Sequence, residues 1–151
     1  SGLALDVFPK EPSTNQADFS FELSGVPNVV MTPHIGGSTE EAQFSIGVEV
    51  ADSFVSYMDS GITAGAVNFP QVNLPSFPGT HRILNVHRNE PGVASKINGV
   101  LAEIGANIVA QYLATSGDIG YMVMDVDDKL SVKARDLIAE MPTSIKTRVL
   151  Y

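Results

Sequence analysis

Glu11 and His34 are the residues of this chain whose types best suit acid–base chemistry. Glu11 lies in residues 5–12 and His34 in residues 28–39. A carboxylate close to an imidazole raises the pKa of the imidazole, because the imidazolium gains an opposite charge nearby. Such a pair can donate a proton to a carbonyl oxygen. Spacing alone does not place the two together, and a surface glutamate with a turn histidine is the commoner explanation of these residue types.

Three further residues could bind a neutral amino acid. His87 ends a predicted strand, Asn89 enters the loop after it, and Asn107 begins another strand. An amino acid needs acceptors for its ammonium group and donors for its carboxylate; asparagine offers both, and imidazole adds a donor. We expect all three at one edge of the predicted sheet. The alternative is that Asn89 caps a helix and Asn107 occupies a turn after Gly105.

The acidic and histidine residues do not predict a metal site. Asp125, Asp127 and Asp128 lack the glycine and the distal glutamate of a calcium-binding loop, so we expect a solvated turn and a helix cap. His81 and His87 have no further ligands near them in the sequence. No metal is therefore expected.

Composition narrows the possible partners and compartments. The net charge of −8 argues against nucleic acid, whose phosphates require basic patches. No apolar run reaches the roughly 20 residues that span a bilayer, so no membrane contact is expected. The absence of cysteine fits a reducing compartment, and we expect a cytoplasmic location. Because the chain begins Ser1-Gly2, we also expect further sequence upstream.

The first half of the chain predicts two short strands, a long loop and a helix. Apolar runs at 3–8 and 29–31 predict the strands, and residues 9–26 predict the loop. Ser38 and Glu41 have the spacing of a capping box, and Gly61 marks the end of the helix. An apolar stripe runs along this helix through Gly47, Val50, Ala51, Phe54, Val55 and Met58.

The second half has the pattern βαββαβ. Strands are predicted at 82–87, 108–115, 121–126 and 145–150, with one helix from Pro91 to a stop at Gly105 and another at 130–141. The fold class is α+β: a ferredoxin-like antiparallel sheet with both helices on one face. Three prolines keep residues 67–79 extended as a linker before this domain.

The amino-acid sequences of several of these segments resemble those of a known family. Residues 5–12 and 28–39 resemble the D-isomer-specific 2-hydroxyacid dehydrogenases, over residues 3–60 of the chain. Segments 87–92, 105–108, 111–113 and 148–151 resemble the ACT regulatory domain that some of these enzymes carry. The resemblance implies the end of a Rossmann-like α/β nucleotide-binding domain at 1–36. It then implies a returning helix and the end of the substrate-binding domain at 37–66, a linker at 67–79, and the ACT domain at 80–151.

The resemblance also implies an activity. The family enzyme that fits best uses NAD to oxidise 3-phosphoglycerate to 3-phosphohydroxypyruvate, the first step of L-serine biosynthesis. His34 would be the acid/base, and Glu11 would keep it charged and oriented. The catalytic arginine and the glycine-rich dinucleotide fingerprint are not among the 151 residues, so the chain alone is expected to be inactive. The residues expected to line the NAD site are Asp6, His34, Ile35, Gly36 and Gly37.

In the ACT half, the resemblance implies an L-serine effector site between two subunits. His87 and Asn89 would come from one chain and Asn107 from the other, in a homo-oligomer expected to be a homotetramer at full length. Asn85 stands where related sequences often carry histidine, and Arg88 and Glu90 appear in swapped charge order. Two alternatives stay open: a non-enzymatic amino-acid-binding module, or another D-2-hydroxyacid dehydrogenase with a different effector.

Overall fold

The computed structural model describes residues 1–14 and 19–151, which form two compact units, Ser1–Glu49 and Val50–Tyr151. The predicted division of the chain at residues 36, 66 and 79 stays a prediction. None of the helices in these described ranges is long and apolar enough to cross a membrane. The elements are β1 (Leu3–Leu5), β2 (Val29–Met31), α1 (Glu40–Ser60), β3 (Thr80–Arg88), α2 (Val93–Glu103), β4 (Ile108–Ser116), β5 (Ile119–Asp127), α3 (Ser131–Ala139) and β6 (Ser144–Leu150).

In the first unit, β1 and β2 form a small parallel sheet. The first strand is shorter than the predicted 3–8, because Asp6 turns its carboxylate to Thr32 and His34 just beyond the end of β2. Phe8 is buried, and its ring meets Phe19 edge-on at 5.1 Å. Part of the predicted loop at 9–26, residues 15–18, lies outside the described residues; the rest of it contains neither helix nor strand.

Helix α1 begins one residue later than predicted. Thr39, and not Ser38, caps it: the Thr39 hydroxyl accepts a hydrogen bond from the Ala42 backbone N–H at 3.1 Å. The helix ends before Gly61, as predicted, where the backbone turns to φ +70°. The predicted apolar stripe is largely exposed to solvent, with Phe54 at 66 %.

The second unit has the predicted βαββαβ order and confirms the α+β class. Its antiparallel sheet is ordered β4-β5-β3-β6. Alternate residues of β5 face opposite sides. Met122 and Met124 join the core that includes α2 and α3, while Tyr121 and Val123 pack in a second cluster on the other side. Both faces of the central strands are therefore covered.

A glycine in the left-handed conformation lies at each end of α2. Gly92, in the left-handed conformation at φ +86°, is the N-cap, so Pro91 precedes the helix and does not begin it. At the other end, Gly105 adopts φ +74° and the Ala106 N–H bonds back to the Leu101 carbonyl. This is the glycine stop that the sequence predicted.

Residues 61–79 contain no helix or strand, yet several of their side chains pack within the second unit. Val72 is 1 % exposed and lies in the cluster with Leu84 and Tyr121. The Thr63 hydroxyl donates to the Pro70 carbonyl and accepts from the Val72 N–H, both at 2.8 Å. This segment, called the strap below, covers the sheet face opposite the helices.

Replacing Gly61 with alanine should destabilise the second unit by about 2–4 kcal/mol, since a left-handed residue gains a Cβ in a crowded place. That Cβ would collide with the Leu84 side chain and come within 2.9 Å of the Tyr121 hydroxyl. Gly65→Ala is the matched control: its φ is +82°, with nothing within 4 Å, so only the backbone cost of about 1–2 kcal/mol is expected. Urea unfolding followed by circular dichroism measures both, and equal losses would contradict the crowding argument.

Candidate functional site

The first unit brings Glu11 and His34 into direct contact. The His34 Nδ1 atom lies 2.9 Å from both carboxylate oxygens of Glu11. The Phe8 backbone N–H donates to Glu11 Oε1 at 2.9 Å and fixes the carboxylate. The pair lines an open cleft of about 410 Å³, whose walls include Phe19 and Ile35. With Nδ1 held by Glu11, the ring has Nε2 left for a substrate.

The backbone of His34 is held in an unusual conformation by Asp6. His34 has φ +51°, which is uncommon for a residue with a side chain. Its backbone N–H donates to Asp6 Oδ1 at 3.2 Å, and the Thr32 hydroxyl donates to the same oxygen. The sequence predicted Asp6 for cofactor contact and did not predict this positioning role or Thr32; the hydroxyl two residues before the histidine was the available signal.

The electrostatics of the pair favour the charged form of both groups. The pKa of Glu11 is lowered, chiefly by the Phe8 N–H and next by His34. The pKa of His34 is raised, chiefly by its hydrogen bond to Glu11 and then by the charge of Glu11. The stabilisation from His34 is therefore complete below the pKa of an unfolded histidine and is lost as the pH rises through its raised pKa. That from Glu11 is lost as the pH falls through its lowered pKa.

Glu11→Gln should lower the pKa of His34 toward the ordinary histidine value, because the charge and the charge-assisted hydrogen bond are both lost. An NMR titration of the His34 ring protons in the 151-residue chain measures this change. Asp6→Asn is the comparison variant and should lower the pKa less, since the charge of Asp6 is the weakest of the contributions. An unchanged pKa in Glu11→Gln would contradict the role assigned to Glu11.

Residues 34–37, which are predicted to line the NAD site, are exposed and lie in a turn. The Ser38 N–H donates to the Ile35 carbonyl at 2.8 Å, and the Gly37 carbonyl accepts from the Gln43 side chain. A Cβ on Gly36 would meet nothing, so the chain itself does not require glycine there. The hydrogen bonds of the described residues use only Oδ1 of Asp6, which leaves Oδ2 for an amide N–H. The 151 residues contain no phosphate-binding fingerprint, so the contact of these residues with NAD stays a prediction.

In the second unit, His87 is buried near the end of β3. Its Nδ1 lies 2.9 Å from Asn85 Oδ1, and burial lowers the pKa of the ring. The residue paired with it on β5 is Gly120, where any Cβ would collide with Nε2 of His87. Glycine at this position therefore lets the His87 ring pack directly against the backbone of β5. The sequence singled out His87 but not Gly120, whose place opposite the histidine follows only from the strand register.

Asn89 and Asn107 lie at opposite ends of the sheet within one protomer. Asn89 donates its side-chain N–H to the Gly117 carbonyl at 3.0 Å, beyond the end of β4. Asn107 precedes the start of β4, and its N–H donates to Asp127. A nine-residue strand separates them by about 30 Å. The expectation that His87, Asn89 and Asn107 share one edge is thus wrong for a single protomer, because β3 and β4 both run antiparallel to β5.

Asp125 is not the solvated turn residue that the sequence predicted. It lies in β5, is 1 % exposed, and forms a two-bonded ion pair with Arg82 of β3, both N···O distances being 2.7 Å. Asp128 begins a short 3-10 turn before α3. No group of three potential metal-ligating side chains lies together in the described ranges.

The βαββαβ part of the second unit contains an ACT domain: residues 83–146 match the family described as the AHAS small subunit-like ACT domain. The whole chain is 53 % identical to D-3-phosphoglycerate dehydrogenase of Dictyostelium discoideum and 48 % identical to that of Escherichia coli K12. The enzyme of that name from Haemophilus influenzae is 47 % identical over 150 residues. The chain spans 37 % of the length of each. The resemblance is confirmed: the chain is related along its whole length to D-3-phosphoglycerate dehydrogenases and contains an ACT domain.

Proposed function

We propose that these residues serve in an NAD-dependent D-3-phosphoglycerate dehydrogenase, which oxidises 3-phosphoglycerate to 3-phosphohydroxypyruvate in L-serine biosynthesis. The observation that carries the proposal is the contact of His34 with Glu11 at 2.9 Å in an open cleft. Identities of 53 % and 48 % to enzymes of this name support it. Because the chain spans 37 % of those enzymes, the dinucleotide fingerprint and the catalytic arginine are assigned to sequence outside it. We place the enzyme in the cytoplasm.

The geometry assigns a role to each member of the pair. In neutral His34, Nδ1–H donates to Glu11 and Nε2 presents a lone pair, so Nε2 takes the proton of the substrate hydroxyl. The imidazolium so formed is stabilised by the Glu11 carboxylate, whose position the Phe8 N–H fixes. NAD, when bound, would accept the hydride. In the reverse direction His34 returns its proton from Nε2 to the carbonyl oxygen. Asp6 holds the His34 backbone throughout.

The regulatory half of the proposal is an L-serine site between two ACT domains. Strand β4 is an edge of the sheet, so its outer backbone groups are available to a second copy. Val109, Tyr112 and Leu113 of this strand are each more than a third exposed. A twofold axis along this edge would pair β4 with β4 of the partner in antiparallel fashion.

Asn89 and Asn107 lie about 30 Å apart within one protomer, and this pairing would bring Asn107 of one chain close to Asn89 of the other. In antiparallel pairing, the start of one β4 lies beside the end of the other. Asn107 of the partner then comes to the end of β4, where Asn89 contacts the Gly117 carbonyl. His87 and Asn89 of one chain and Asn107 of the other would surround a single amino acid. Two such dimers would form the homotetramer, with the second interface outside these 151 residues.

Calorimetric titration of the 151-residue chain with L-serine, glycine and L-alanine tests the regulatory half. We expect saturable heat for L-serine, with one ligand for each copy of the site, and weaker heats for the other two. Sedimentation of the same samples gives the oligomeric state. A dimer that binds none of the three amino acids would contradict serine as the effector. A monomer that binds serine would contradict a site shared between chains.

A further inference from the structure

We propose that Asn85 is a positioning residue that holds His87 as the Nδ1-protonated tautomer, so that His87 meets the effector as a hydrogen-bond acceptor at Nε2. The part concerning the effector rests on the serine site proposed above. The part concerning the tautomer rests on the structure alone. Asn85 is 0 % exposed and makes three side-chain hydrogen bonds, to His87, Ser144 and Thr147.

The orientation of the Asn85 amide follows from Ser144. The Ser144 hydroxyl has one proton, and it donates that proton to the Ile138 carbonyl at 2.6 Å. Toward Asn85, at 3.0 Å, Ser144 can therefore only accept. The group of Asn85 that faces Ser144 must be its NH₂. The Thr147 hydroxyl, 2.9 Å away, can rotate to accept from the same NH₂.

The amide orientation fixes the tautomer of His87. With NH₂ directed to β6, the oxygen Oδ1 of Asn85 is the atom 2.9 Å from His87 Nδ1. An amide oxygen accepts only, so Nδ1 must carry a proton. The opposite amide orientation would place two acceptors, Oδ1 and the Ser144 oxygen, against each other. Burial supports the same state, since it lowers the pKa of His87 and keeps the ring neutral.

A neutral ring with its proton on Nδ1 has a lone pair on Nε2. The described residues give Nε2 no hydrogen-bond partner. The ring occupies the place that a Cβ on Gly120 would take, so glycine at this position allows His87 to pack against the backbone of β5. The effector group that pairs with His87 must therefore be a donor, which in L-serine is the ammonium or the hydroxyl. The carboxylate is left to N–H donors such as those of asparagine. The sequence predicted the reverse, with imidazole as a donor.

Long-range ¹H–¹⁵N correlation spectra of the ¹⁵N-labelled chain at pH 7 test the tautomer directly. We expect His87 to show a protonated Nδ1 and an unprotonated Nε2. Asn85→Leu should shift the ring toward the Nε2-protonated form and weaken L-serine binding about tenfold, the effect of about one hydrogen bond. Thr147→Val is the matched control: it removes one contact of Asn85, leaves Ser144, and should keep the tautomer.

An Nε2-protonated or doubly protonated His87 in the unaltered chain would overturn the proposal, as would an unchanged tautomer in folded Asn85→Leu. Adding L-serine should perturb the Nε2 resonance while Nε2 stays unprotonated. Protonation of Nε2 on binding would overturn the acceptor role. Absence of any serine binding, with the expected tautomer present, would contradict the serine site and support the role of Asn85, so the two failures are distinguishable.

Discussion

Replacing Arg82 with methionine should lower the free energy of unfolding of the Val50–Tyr151 unit by about 3–5 kcal/mol. The methionine is apolar and of similar length, so the main effect is to leave the Asp125 carboxylate buried without its partner. Arg82 also donates to the carbonyls of Ser60, Leu74 and Pro75, at 2.9, 2.8 and 2.7 Å, and these acceptors would lose their donors. Urea unfolding of the 151-residue chain, followed by circular dichroism, measures the loss.

Arg135 offers a control with the same chemistry in a different environment. It forms a 2.6 Å ion pair with Asp136 on α3, where the side chains are 34 % and 57 % exposed. Arg135→Met should cost less than about 1 kcal/mol, because water screens the pair and replaces its hydrogen bonds. Similar losses in the Arg82 and Arg135 variants would show that burial does not set the cost, and would contradict the argument.

The Arg82 contacts also explain how the strap is held. One guanidinium binds the last residue of α1, two carbonyls of the strap and a carboxylate on β5. It therefore joins the end of α1, the strap and β5. Val72, inserted beside Leu84 and Tyr121, adds an apolar contact to the same strap. A segment without regular structure is thereby fixed to the sheet.

Local patterns were enough to predict most of the ACT half. Val93, Ile97 and Leu101 recur at helical spacing, and all three are buried in α2. Each strand of the sheet was predicted to within a few residues, because an apolar run bounded by turn residues has few other conformations. The helix and strand order then allowed few topologies.

Features that depend on register were not predictable in the same way. In the sequence, Asp125 follows Met124 and resembles the first residue of an acidic turn. In the structure, β3 pairs with β5 and places Arg82 opposite Asp125. The packing of residues 61–79 was missed for a related reason. Its prolines indicate an extended chain, but only the apolar second face of the sheet, with Leu84 and Tyr121, explains why Val72 is buried.

The candidate sites also combine features that the sequence predicted with features that only the structure revealed. The contact of Glu11 with His34 joins residues 23 apart, and residue types alone left it open. The family resemblance predicted the pairing. Only the structure revealed that Asp6 accepts hydrogen bonds from the His34 backbone N–H and the Thr32 hydroxyl. Asn85 appeared in the sequence as a departure from related proteins. Its hydrogen bonds to β6 give that departure a physical meaning.

Asn107→Ala should weaken L-serine binding by about 10- to 100-fold while the chain still dimerises, if the effector lies between paired β4 edges. The estimate is the cost of leaving a charged group of the ligand without one hydrogen bond, about 1.5–3 kcal/mol. The fold should be little affected, since the contacts of Asn107 with Asp127 use backbone atoms of Asn107, which alanine retains.

The design separates loss of the site from loss of the dimer. Calorimetry gives the affinity of the Asn107→Ala chain for L-serine, and sedimentation of the same sample gives its oligomeric state. Asn73→Ala, at an exposed asparagine of the strap, is the control and should leave both unchanged. The sharpest test mixes Asn107→Ala chains with Asn89→Ala chains. In a shared site, each heterodimer has one unaltered site and one doubly altered site, so mixing should restore tight binding to half of the sites in the heterodimers. If mixing restores nothing although heterodimers form, Asn89 and Asn107 do not meet across the interface.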